Sequence, residues 1–85
     1  MTNKVFMRQR IAELNPEAIL WEDLDDAVIG MSNDLCVVYQ VELMQQEFMR
    51  QNDWTEEEAE EYIEYNVLGA HVGEYTPIHI WKINY

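Results

Sequence analysis

Residues 54–73, Trp-Thr-Glu-Glu-Glu-Ala-Glu-Glu-Tyr-Ile-Glu-Tyr-Asn-Val-Leu-Gly-Ala-His-Val-Gly, constrain this chain more than any other stretch. Thr55 is followed three residues later by Glu58, the spacing of a reciprocal capping box at a helix start. Trp54 and Ala59 flank that turn as a hydrophobic staple. Beyond it, Ala59, Tyr62, Ile63, Asn66, Val67 and Ala70 recur at the three-and-four spacing of one helical face. Glu56, Glu57, Glu60, Glu61 and Glu64 fall on the other side. The segment therefore predicts a one-sided acidic helix, docked by an aromatic and aliphatic face and closed by Gly69 or Gly73 as a left-handed cap.

The rest of the chain must supply the core for that helix. Eighty-five residues fit one domain, and a chain of this size buries only about 60–65% of its unfolded surface. An apolar fraction of 48%, with three Trp, five Tyr and five Met, argues for folding despite a net charge of −12. The single cysteine, Cys36, excludes an internal disulfide. Its neighbours Leu35, Val37 and Val38 predict a buried thiol and a reducing compartment. No apolar run reaches membrane-spanning length, and no signal-peptide layout opens the chain, so neither membrane insertion nor secretion is expected.

Charge is unevenly placed. Lys4, Arg8 and Arg10 form a basic N-terminal group, followed by two long stretches without Lys or Arg, from Arg10 to Arg50 and from Arg50 to Lys82. A largely negative surface follows, and its field opposes direct binding to a nucleic-acid backbone.

In chain order, residues 3–14 predict a short helix with Met7, Ile11 and Leu14 on one side, ended by Asn15-Pro16. After the apolar run 18–21 and the acidic cluster Glu22, Asp23, Asp25 and Asp26, residues 27–31 predict a strand in which Gly30 permits a bend or a bulge. Ser32-Asn33-Asp34 is turn chemistry, and residues 35–39 predict a second strand antiparallel to the first. Val41, Met44 and Phe48 then carry a helix over 40–51, joined to the acidic helix as an αα-hairpin. Ile78, Ile80 and Ile83 predict a last strand, with His79 on the face opposite Ile78 and Ile80 and, in the simplest arrangement, outward. The expected fold is a single α+β domain in the order α-β-β-α-α-β, with residues 1–15 a basic helix and 18–83 the core. A small antiparallel sheet of about three strands would be packed by two or three helices.

The combination Leu24-Asp25-Asp26-Ala27-Val28-Ile29-Gly30, then Val38-Tyr39, then the run from Trp54 through Glu61-Tyr62-Ile63-Glu64-Tyr65-Asn66-Val67 and Gly69-Ala70 to Val72-Gly73-Glu74 and Thr76-Pro77 resembles a group of small proteins encoded by tailed bacteriophages. The resemblance spans about residues 18–81 and leaves the N-terminal basic helix outside. It implies a phage source and a host-cytoplasmic setting, and it transfers no catalytic residue.

Two clusters invite metal chemistry. Asp25 and Asp26, with Glu22 and Asp23, offer hard oxygen ligands, but Val28 and Asp34 stand where an EF-hand loop needs Gly and Glu. Solvation, or capping of a turn at the strand entrance, is the plainer reading. His71, Glu74 and His79 would suit zinc if the last strand returned beside the acidic helix, although their spacing matches no established zinc motif. A small metal-binding protein or metal-dependent enzyme using either cluster is thus the alternative reading. Hydrolysis by paired carboxylates needs a cleft that an exposed glutamate band does not provide. No phosphate loop or nucleophile elbow is present. The chain is accordingly expected to be non-enzymatic and to need no cofactor.

The glutamate band has two readings. One is a solvated face that keeps an aromatic-rich protein in solution. The other is a surface centred on Glu57, Glu60, Glu61 and Glu64, with Tyr65 as an exposed aromatic anchor, that binds a protein partner. In its sharpest form the carboxylates imitate DNA phosphates and fill the basic groove of a nucleic-acid-binding or defence protein. A symmetric homodimer through an aromatic patch is a further possibility.

Overall fold

The computed structural model describes residues 4–83. The N-terminal helix α1 spans Lys4–Leu14. It is tied to the domain by Ile11, which enters the core, and by Arg8, whose guanidinium forks onto both oxygens of Asp25 (2.7 Å each). Asn15 closes the helix. Buried itself, it donates from Nδ2 to the Leu35 carbonyl (3.0 Å) and accepts the Glu17 N–H at Oδ1 (3.1 Å), so its polar groups are satisfied, as burial requires.

A 3-10 turn at Asp25–Ala27 delivers the chain into β1, Val28–Met31, which pairs antiparallel with β2, Val37–Gln40. The register shifts between Val28 and Gly30, the bulge that a glycine inside a strand signals. The turn between the strands sits one residue later than its turn residues suggest. Leu35 is not in the strand but in the left-handed region at φ 66, its N–H donating to Ser32 O (2.9 Å) while the Ser32 N–H donates to Cys36 O (2.8 Å). That geometry is a type I turn followed by a left-handed residue, a common three-residue hairpin loop.

Helix α2, Val41–Asn52, follows β2 without a loop. It ends at Asp53, left-handed at φ 56, where the N–H groups of Asp53 and Trp54 converge on Met49 O. Helix α3, Glu56–Ile63, starts with the expected capping box: Thr55 Oγ1 accepts the Glu58 N–H (3.2 Å) and Glu58 Oε1 accepts the Thr55 N–H (2.9 Å). Its buried stripe is narrower than predicted. Ala59, Ile63 and Val67 are buried, whereas Tyr62 and Asn66 are exposed.

The helix does not end on a left-handed glycine. It widens into a π-helical segment, Glu64–Leu68, and Gly69 follows at φ −90. Gly73 has φ 151, a conformation that glycine reaches without steric cost. Thr76 fastens this corner, its Oγ1 accepting the N–H groups of Val72 and Gly73 (3.1 Å each) and donating to Gly73 O (2.6 Å).

The last strand, β3, is Ile78–Ile80. It lies beside β2 in the order β1-β2-β3 but runs parallel to it, with Val38, Tyr39 and Gln40 opposite Ile78, His79 and Ile80. The α+β class and the element order are as expected, and the sheet is mixed rather than antiparallel. The cause is the path of residues 69–77. An αα-hairpin alone would return the chain to the end of β2 where it left, and this irregular stretch carries it across to the other end. Parallel pairing also sets the phase of β3. Tyr39 faces the core, so His79 faces inward and is half-buried, while Ile78 and Ile80 are exposed.

The core between the sheet and the helices is built from Ile11, Leu24, Val37, Tyr39, Val41, Met44, Ile63 and Val67. Cys36 is buried, as its neighbours predict.

Candidate functional site

The face of α3 turned away from this core is glutamate-rich, and part of that charge costs the helix stability. Glu56, Glu57 and Glu58 occupy the first turn, where negative charge is favoured by the helix dipole. Glu60, Glu61 and Glu64 lie further along, where it is not. The pairs Glu57–Glu61 and Glu60–Glu64 set like charges one turn apart, each costing about 0.2–0.5 kcal/mol. Residues that oppose the local rule without a packing reward point to a surface role.

Glu57, Glu60, Glu61 and Glu64 are exposed, and Tyr65 is 80% exposed. Glu57, Glu60, Glu61, Glu64 and Tyr65 together line a shallow depression of about 300 Å³. The ion pairs Arg8–Asp25, Arg10–Glu13 and Arg50–Glu47 all lie off this face. Among the described residues, no ion pair neutralises its charge.

On the other side of the Glu57–Glu61–Tyr65 ridge lies a larger groove of about 450 Å³, lined by Trp54, Thr55, Glu57, Glu58, Glu61, Tyr62, Tyr65 and Asn66. Phe48 of α2 holds two of these rings from behind. Its centroid lies 5.0 Å from Tyr62 and 6.1 Å from Trp54, and the Trp54 and Tyr62 centroids are 5.2 Å apart. Phe48 in turn packs on the core. Sequence reasoning identified Tyr65 but missed this cluster, which unites the end of α2, the connecting turn and the second turn of α3. The usable signal was the density of aromatic residues around a short connection.

The metal candidates are differently employed. Asp25 is bound by Arg8, and this hydrogen bond raises the Arg8 pKa above its ordinary value. Asp26 adds to the negative field at Arg50, whose pKa is raised chiefly by its hydrogen bond to Glu47. His71 and Glu74 are exposed. His79 lies inward, its Nε2 accepting the indole N–H of Trp21 (2.8 Å), with the two ring planes within 7° of parallel and their centroids 5.9 Å apart. Among the described residues, no three His, Cys, Asp or Glu side chains converge where they could hold a metal ion. Neither the Asp25 and Asp26 set nor the His71, Glu74 and His79 set is assembled.

Burial lowers the His79 pKa, and acceptance at Nε2 places the proton of the neutral ring on Nδ1. A histidine depressed in the fold contributes stability above its unfolded pKa of about 6.5 and loses it as pH falls through the lower folded value. Replacing His79 by Gln keeps an acceptor for Trp21 and removes the titration. The melting temperature of His79→Gln is therefore expected to fall less than that of the wild type between about pH 7 and pH 5; parallel curves would show that the ring does not titrate in that window.

Fold and surface together define a small α+β domain with a three-stranded mixed sheet and an acidic, aromatic helix face. Among the described residues, no helix is long and apolar enough to cross a membrane. Comparison with known proteins found no matching family model, no matching curated protein and no matching solved structure.

Proposed function

We propose that this chain is a non-enzymatic, phage-type binding protein that works in the host cytoplasm by placing the acidic face of α3 in the basic groove of a nucleic-acid-binding or defence protein. The observation that carries this reading is the exposed stripe Glu57, Glu60, Glu61 and Glu64 beside Tyr65, set apart from the ion pairs among the described residues. The sequence resemblance to small phage proteins supports the setting. Carboxylates one helical turn apart steer the protein toward a positive groove, and ion pairs then hold it there. Such a complex is salt-sensitive, because the screening length falls from about 10 Å at 0.1 M salt to about 3 Å at 1 M.

Affinity capture from bacterial lysate checks this directly. A basic nucleic-acid-binding protein is expected in the eluate at about 0.1 M salt and is expected to be lost at about 1 M. Retention of the same partner at both concentrations would sink the electrostatic mechanism.

A further inference from the structure

We propose that the groove between Trp54, Tyr62 and Tyr65 receives an arginine side chain of the partner, an inference that rests on the acidic-face reading and adds to it the chemistry of one contact. The groove is the larger of the two depressions on α3, about 450 Å³, within the range of small-ligand sites, about 300–1,000 Å³. It is lined by the rings of Trp54, Tyr62 and Tyr65 together with the carboxylates of Glu57, Glu58 and Glu61. Aromatic faces attract cations and the carboxylates repel anions, so the occupant is positive.

Arginine fits better than lysine on two grounds. The guanidinium is flat and weakly hydrated, so it stacks on rings at a smaller desolvation cost than an ammonium. Its several N–H groups can also serve two carboxylates at once. Glu57 and Glu61, one turn apart, line the groove for that purpose. Glu58 already accepts the Thr55 N–H, and Asn66 is turned back to donate to the Tyr62 carbonyl (3.2 Å).

The Trp54 and Tyr62 rings are preorganised. Phe48 anchors Trp54 and Tyr62 from the core side, so little side-chain ordering remains to be made on binding. Tyr65 sits in the π-helical segment Glu64–Leu68, a helix irregularity that recurs at functional sites. At 80% exposed, its ring has no core to serve.

The test uses the full chain and two capped peptides of Gly and Ser that carry either two arginines or two lysines. Binding is followed by calorimetry and by the Trp54 indole N–H resonance. The arginine peptide is expected to bind about three- to five-fold more tightly than the lysine peptide and to move the Trp54 signal. Tyr65→Ala should erase that preference and Tyr65→Phe should keep it, with melting temperatures unchanged because the ring is exposed. Equal, salt-sensitive affinity for both peptides, indifferent to Tyr65→Ala, would overturn the arginine groove and leave the acidic face standing. Failure of both peptides to bind at low salt would overturn the groove and the acidic face together.

Discussion

Tyr39→Ala is expected to bring this domain to the edge of unfolding. Tyr39 is fully buried at the centre of the core, and truncating a large aromatic there costs about 3–5 kcal/mol in lost transfer energy and cavity. A domain of this length has a total stability of about 4–13 kcal/mol. The hydroxyl carries a separable share. It accepts the backbone N–H of Trp21 at 2.7 Å, so Tyr39→Phe strands a partly buried donor at a cost of about 1–3 kcal/mol. Urea unfolding should show both variants shifted to lower midpoints with unchanged slopes, the alanine far more than the phenylalanine. Burial also pushes the Tyr39 pKa up to about 12. A raised acid stabilises the fold below its unfolded value of about 10, and that contribution fades as pH rises. Tyr39→Phe should accordingly weaken the alkaline loss of stability.

The second large effect is on binding. In the proposed complex, reversing Glu57, Glu60, Glu61 and Glu64 to lysine would place like charges against a basic groove, a cost of several kcal/mol, and is expected to weaken partner affinity by about a hundredfold or more. The fold should persist. None of the four side chains is buried, and the capping box uses Thr55 and Glu58, neither of which is changed. Circular dichroism should report an unchanged helix content and a stability within about 1 kcal/mol of the wild type. Undiminished capture by the reversed protein would assign the band to solubility alone.

What the sequence makes legible here is local. The Thr55–Glu58 capping box, the Gly30 bulge, the β1–β2 hairpin and the burial of Cys36 each depend on residues close in the chain, and each is found. The direction of β3 depends instead on where residues 69–77 lead the chain, and no short pattern states that. Its phase is equally hidden. Ile78 and Ile80 look like the core side of a strand, yet the inward position falls to His79 because its pairing partner is Tyr39. The Trp21–His79 hydrogen bond joins residues 58 positions apart. Of the site, the glutamate stripe and Tyr65 follow from helical period, whereas the groove needs Phe48 to be folded against Trp54 and Tyr62.

The most direct measurement is competition between this protein and duplex DNA for the captured partner. If the α3 face occupies the partner's nucleic-acid groove, added duplex DNA should displace the wild-type protein in proportion to its concentration. The lysine-reversed protein should show no binding to displace. A ternary complex, or capture indifferent to DNA, would contradict occupation of that groove.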